Sequence, residues 1–126
     1  MRTKQQLGDL QLAIMRVLWA SHEATVVEVH RALLAERGLA PTTIATMLAK
    51  MEQKGVVTHR EDGRRYVYRP TVSAEDVTHS MVGQLAERLF RGDAAALVSH
   101  LLAEHDIDAA ELADLETMIN RRRSEK

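Results

Sequence analysis

A chain of 126 residues that is 45% hydrophobic but only 3% aromatic can bury one modest core of Leu, Val, Ile, Met and Ala, the mixture typical of packed helices. It has no cysteine, which excludes disulfides, thiolate metal sites and cysteine redox chemistry. The opening MRTKQQLGDL has no apolar segment and nowhere do ~18 apolar residues run together, so neither a signal peptide nor a membrane span is expected, and the chain reads as soluble and cytoplasmic. Its formal net charge of −1 hides an asymmetry: residues 1–70 carry 11 Lys+Arg against 7 Asp+Glu, net +4, and residues 71–126 carry 6 against 11, net −5. A basic half joined to an acidic one suits nucleic-acid binding by the first.

In chain order, the first helix is expected from about Asp9 to Ala20, with Leu10, Ile14, Val17 and Leu18 on one stripe. Thr25 and Glu28 have the spacing of a capping box, so a second helix opens there and runs to about Arg37, where Gly38 supplies a stop. Pro41 suits a first helical position, and a third helix follows to Lys54 before Gly55 ends it. The period then changes: VVTHRED and RRYVYRP flank Asp62-Gly63, the signal for a type I′ hairpin turn. Ser73 and Asp76 cap a fourth helix from Ala74 to Phe90, and Arg91-Gly92 breaks it. Asp93 begins a helix containing Leu97, Val98, Leu101 and Leu102, and Asp108 with Glu111 opens a last one through Leu112, Leu115, Met118 and Ile119. RRRSEK reads as a polar, frayed tail.

Helix, helix, turn, helix, hairpin is the order of a winged helix-turn-helix, whose third helix enters the major groove while the hairpin rests on the backbone. In the third helix Ile44, Met47, Leu48 and Met51 form a core-facing stripe. At about 100° per residue, Thr42, Thr46, Ala49 and Gln53 fall opposite it, flanked by Thr43 and Lys50. Threonine hydroxyls bond phosphates or base edges, and a lysine reaches a guanine or a phosphate. Alone, such a face is equally a solvated helix surface; its setting favours DNA. The hairpin adds Arg60, Arg64, Arg65 and Arg69. Of these, Arg64 and Arg65 beside the turn are the better phosphate candidates, although charge on a hairpin also protects an exposed edge. Tyr66 and Tyr68 read as packing residues.

Four segments carry a resemblance over nearly the whole chain: LGDLQLAIMRVLW, TVVEVHRAL, PTTIATMLAKMEQKG and DGRRYVYRP. The chain resembles the penicillinase and methicillin-resistance repressors and their copper-responsive relatives, the BlaI/MecI/CopY type. The resemblance implies a homodimeric winged-helix repressor of a palindromic double-stranded operator, with recognition-helix contacts carried by Thr42, Thr43, Thr46 and Lys50. Where many relatives have a lysine after the proline and an arginine later in this helix, this chain has Thr42 and Lys50, which bears on operator preference. In antibiotic-responsive members a membrane sensor-protease system triggers cleavage at an Asn-Phe bond within the dimerisation helices; the equivalent position here is His100-Leu101. The cysteine cluster of the copper-responsive members has no counterpart.

The expected architecture is mainly α with a small β-hairpin wing: a winged helix-turn-helix DNA-binding domain over residues 1–72 and a helical dimerisation domain over 73–126. Three amphipathic segments cannot bury all their apolar surface against a unit with its own core, so they need a partner, most simply a second copy. Val82, Leu85, Leu89, Leu97, Val98, Leu101 and Leu102 are the interface candidates, with intramolecular packing of the same stripe as the alternative. The six histidines make no metal-binding pair of known spacing, and no catalytic motif, metal site or cofactor is expected. Two further readings remain open: a protein-interaction adaptor on a winged-helix scaffold, and a metal-responsive regulator assembled from His79, His100 or His105.

Overall fold

The computed structural model describes residues 7–125; MRTKQQ and Lys126 lie outside them. The chain forms two compact units that divide between Gly83 and Gln84, whereas the sequence pattern places its domain boundary at 72/73. The first unit comprises α1 (Asp9–Ser21), β1 (Ala24–Thr25), α2 (Val26–Arg37), α3 (Pro41–Lys54), β2 (Val57–Asp62), β3 (Arg65–Pro70) and the beginning of α4 (Ala74–Phe90). Its antiparallel sheet has the order β1-β3-β2.

The signals at the helix ends work as their chemistry requires. Thr25 Oγ1 accepts the Glu28 N–H at 3.2 Å while the Thr25 N–H donates to Glu28 Oε1 at 2.8 Å, so two amide groups without helical partners are satisfied reciprocally. Gly38 closes α2 at φ 58°, its N–H donating to the Leu34 carbonyl, a conformation that costs an L side chain about 1 kcal/mol or more. Pro41 opens α3 and Gly55 closes it at φ 89°. The stop of α1 is different in kind, because His22 takes a positive φ of 72° where no glycine is present.

Ile14, Met15 and Leu18 of α1, Val29 and Leu33 of α2, and Ile44, Leu48 and Met51 of α3 meet in one core closed by Val56, just before β2, and by Val57 and Tyr68 of the sheet. Val77 of α4 is buried in the same core, and Trp19 Nε1 donates to the Val72 carbonyl at 2.9 Å. The path from the hairpin into α4 is therefore pinned to α1.

Three local expectations are corrected. The hairpin pairs Asp62 with Arg65, so its loop is Gly63-Arg64 and not Asp62-Gly63. Within that loop only Gly63 has a positive φ, 65°, the pattern of a type II′ turn, which needs glycine at its first position, and not of type I′, which needs positive φ at both. The slip moves each cross-strand partner by two residues and leaves the faces unchanged. Second, the sheet gains a strand from Ala24 and Thr25, which pair with Tyr68 and Val67. Third, RRRSEK is not a frayed tail throughout, since α6 (Ala109–Ser124) includes Arg121, Arg122 and Arg123 in its last turn, where cations complement the helix dipole.

The second unit holds the end of α4, α5 (Ala94–Glu104) and α6. Arg91 and Gly92, both at positive φ, separate α4 from α5. Asp93 caps α5 by accepting the Ala96 N–H, and Asp108 and Glu111 form a capping box on α6. Among the described residues from Gln84 onward none is buried.

The capping box makes a pH prediction. The backbone hydrogen bond from Thr25, followed by that from its side chain, holds the Glu28 carboxyl below its ordinary pKa. A carboxyl with a lowered folded pKa contributes stability that is present above its unfolded value of about 4.3 and is lost as pH falls through the folded one. Glu28→Gln, which keeps an acceptor but no charge, is expected to be less stable than wild type at pH 7. That difference in urea unfolding should shrink as the pH is lowered toward 3.

Candidate DNA interface

The interface is organised by α3. Its buried side carries Ile44, Leu48 and Met51, with Met47 half-buried against the same core. The opposite side exposes Thr42, Thr43, Thr46, Ala49, Lys50 and Gln53. Small and hydroxylic groups on that side leave room for a groove wall to approach the helix. Gln11 Nε2 donates to Met47 Sδ at 3.3 Å and Lys54 Nζ donates to Gln11 Oε1 at 2.9 Å, so contacts to α1 hold α3 against rotation. Lys54 is thereby engaged, whereas Lys50 enters no ion pair among the described residues.

The turn before α3 is short and braced. His30 Nε2 lies 2.8 Å from the Leu39 carbonyl and donates to it, tying α2 to the residues that set the angle between the two helices. Ala40 provides no side-chain cap and Pro41 has no N–H. The positive end of the α3 dipole is therefore left open to an anion.

On the hairpin, strand alternation divides the side chains. Arg60, Arg65 and Arg69 share one face with Val67, and His59, Tyr66 and Tyr68 share the other. Arg64 occupies the loop tip, exposed and in no ion pair among the described residues. Arg65 differs: its guanidinium lies 3.2 Å from Asp62, both side chains being more than half exposed. A phosphate contact by Arg65 thus competes with a surface pair worth at most about 1 kcal/mol. Arg60 pairs with Glu23 at 2.9 Å, and this hydrogen bond raises the guanidinium pKa. Tyr68 is buried, and burial pushes its phenol pKa up; Tyr66 remains largely exposed.

The helix–wing junction holds a cluster that the residue pattern did not announce. His59 Nδ1 lies 2.7 and 2.9 Å from the two carboxylate oxygens of Glu52. The imidazole stacks on Tyr66 with centroids 4.1 Å apart and planes 20° apart, and it tilts against Tyr68 at 5.4 Å. The observed register sets His59 opposite Tyr68, so the imidazole stacks on Tyr66 diagonally across the two strands.

In the remaining helices Val82, Leu85 and Leu89 of α4 and Val98, Leu101 and Leu102 of α5 are exposed, Leu89 by 70%. Leu97 is half-buried. Leu112, Met118 and Ile119 of α6 are exposed as well, an apolar set absent from the sequence-based interface. Among the described residues no three His, Asp or Glu side chains gather closely enough to hold a metal ion, and no helix is long and apolar enough to cross a membrane.

A polar outward face on the third helix of a helix-turn-helix, followed by a cationic hairpin, defines a winged-helix DNA-binding protein. Residues 7–121 match the family model of the penicillinase repressor, and the chain belongs to that family of transcriptional repressors. It is 25% identical to the penicillinase repressor of Bacillus licheniformis over 126 residues, covering 100% of this chain and 98% of that protein. It is 36% identical to the transcriptional regulator BlaI of Mycobacterium tuberculosis over 118 residues, 88% of this chain and 86% of that one. The solution structure of the DNA-binding domain of the repressor BlaI superposes with a TM-score of 0.53 at 33% identity, covering 60% of this chain and 93% of that domain. The Bacillus licheniformis BlaI monomeric form in complex with the blaP half-operator gives 0.52 at 33% identity, with the same coverages.

The brace on the turn is open to test. His30→Ala leaves the Leu39 carbonyl without its side-chain donor, and it is expected to lower unfolding stability by about 1 kcal/mol. The measurement is urea denaturation followed by circular dichroism.

Proposed function

We propose that this repressor acts as a cytoplasmic homodimer on a two-fold operator, with residues 1–72 on DNA and residues 73–126 holding the two copies together. The carrying observation is the face formed by Thr42, Thr43, Thr46 and Lys50, exposed along a helix whose other side is locked in the core. In this reading the threonines and Lys50 address base edges and phosphates in the major groove, and Arg64, with Arg65 once released from Asp62, addresses the flanking backbone. The protein works by occupying a promoter and not by chemical catalysis. That a related monomer takes a half-operator supports an operator of two halves read by two copies.

Dimerisation is supported by the apolar surface that the C-terminal helices leave uncovered. Val82, Leu85, Leu89, Val98, Leu101 and Leu102 present a large apolar exposure, and Leu97, Leu112, Met118 and Ile119 extend it. Exposure on this scale is unusual for a soluble monomer. Release follows from any event that separates the copies, including the action of a membrane sensor-protease system. His100-Leu101, both exposed within α5, is the bond at which scission would break an interface helix.

Two measurements test the reading: binding to a duplex enriched by this chain from a random-sequence pool, and sedimentation of the protein alone. Lys50→Ala and Arg64→Ala are each expected to weaken binding and to lower the log–log salt slope by about one unit; unchanged slopes in both would remove these cations from the interface. Arg65→Ala is expected to cost less, because wild-type Arg65 must first give up Asp62. For the dimer, Leu89→Glu is expected to shift sedimentation from dimer to monomer at micromolar concentration and to weaken operator binding at least tenfold. A wild-type chain that sediments as a monomer would overturn it.

A further inference from the structure

Glu52 stands in an unfavourable place for a carboxylate, the last turn of α3, where the negative end of the helix dipole repels it. Both of its oxygens are engaged by His59 Nδ1, across the junction between recognition helix and wing. His59 in turn carries Tyr66 on its ring face, and Tyr66 lies two residues from Arg64 at the loop tip.

The mechanical setting gives this chain of contacts its weight. The base of the hairpin is anchored by buried Val57, Val67 and Tyr68, and β1 braces β3 only at Val67 and Tyr68. From Arg60 to Tyr66 every residue is exposed, so no core packing sets the angle of the outer hairpin. Among the described residues, side-chain interactions reach it on both faces: on one, Arg60 pairs with Glu23 and the Arg65 charge acts on Glu28; on the other, Tyr66 stacks on the Glu52-bound His59. Of these, the stack alone is anchored on α3.

We propose that Glu52, His59 and Tyr66 form a strut that fixes the wing tip relative to the recognition helix, so that Arg64 reaches the DNA backbone in register with Lys50. None of the three is assigned a contact with DNA; they are positioning residues, and the inference rests on the reading of Arg64 and Lys50 as DNA contacts. It deepens that reading by making the contribution of Arg64 conditional on an interaction elsewhere on the hairpin.

A double-mutant cycle on the full-length chain tests it, with the enriched duplex as probe and salt titrations as readout. In wild type, Arg64→Ala is expected to reduce affinity about tenfold and the salt slope by about one. In His59→Ala or Glu52→Ala the same substitution is expected to reduce affinity less than about twofold, because the arginine is no longer held at its phosphate. Lys50→Ala should keep its full effect in both backgrounds. Glu52→Gln retains an acceptor for the imidazole N–H and is expected to restore the dependence on Arg64, which a general loss of stability would not do. Glu52→Ala, at the partly exposed end of a helix, serves if His59→Ala does not fold, as checked by its urea midpoint. An Arg64→Ala effect of equal size in all backgrounds overturns the strut while leaving the wing contact standing. No effect of Arg64→Ala in wild type overturns the wing contact and the strut together.

Discussion

The burial of Ile44, Leu48 and Met51 is the constraint on which the DNA-binding half depends. Each is fully buried or nearly so, and each such side chain contributes about 2 kcal/mol when removed from water. Turning α3 about its axis by even one residue position would bring that stripe toward solvent and Lys50 or Ala49 toward the core. The penalty would be several kcal/mol, comparable with the whole stability of a small domain. The outward direction of Thr42, Thr46 and Lys50 is thus a by-product of core packing. A surface prepared for DNA needs no stabilising energy of its own, and its small polar residues can be chosen for the groove.

Rotation about the α3 axis is one degree of freedom; the direction of that axis is another, set by the connections. Gly38 turns the chain sharply after α2, His30 holds the Leu39 carbonyl, and Pro41 restarts the helix three residues later. At the other end Gly55 reverses the chain so that Val56 and Val57 enter the core directly. Helix and wing are therefore joined by a short rigid corner. Beyond it the hairpin outgrows its buried support and relies on exposed side chains, which is where the ion pairs and the aromatic stack concentrate.

This division explains what was legible in the sequence. Capping residues, glycines in the left-handed region and the apolar period of α3 act locally, so Thr25 and Glu28, Gly38, Pro41 and Gly55 mark their elements without knowledge of the fold. The outward placement of Thr42, Thr43, Thr46 and Lys50 follows from the same period. The hairpin loop was displaced by one residue because Asp-Gly has a strong turn preference, while the register was decided by pairing along β3 and by the single positive φ at Gly63. β1 has two residues and no pattern of its own; it exists because Tyr68 and Val67 offer an unpaired edge. The ion pairs of Arg60 with Glu23 and of Arg65 with Asp62 join residues whose proximity depends on that register, and the Glu52–His59 pair depends on how the Gly55 corner sets β2 against α3. An arginine count in the hairpin cannot distinguish Arg64 from neighbours already neutralised.

The second unit inverts the logic of the first. Its helices are capped as well as any in the chain, with Asp93 on α5 and a full capping box on α6, yet none of its described residues is buried. Caps contribute about 1 kcal/mol each and isolated helices of 11 to 16 residues are marginal in water, so local signals alone do not hold such a unit. In the proposed dimer the missing burial comes from the second copy. Folding of these helices and joining of two DNA-binding units then become one equilibrium. A half-site alone offers few contacts, whereas a tethered second half-site is met at an effective concentration in the millimolar range. Separating the copies then removes that advantage without altering any residue that touches DNA. Regulation can act on apolar surface in the acidic half while the threonine face of α3 stays intact.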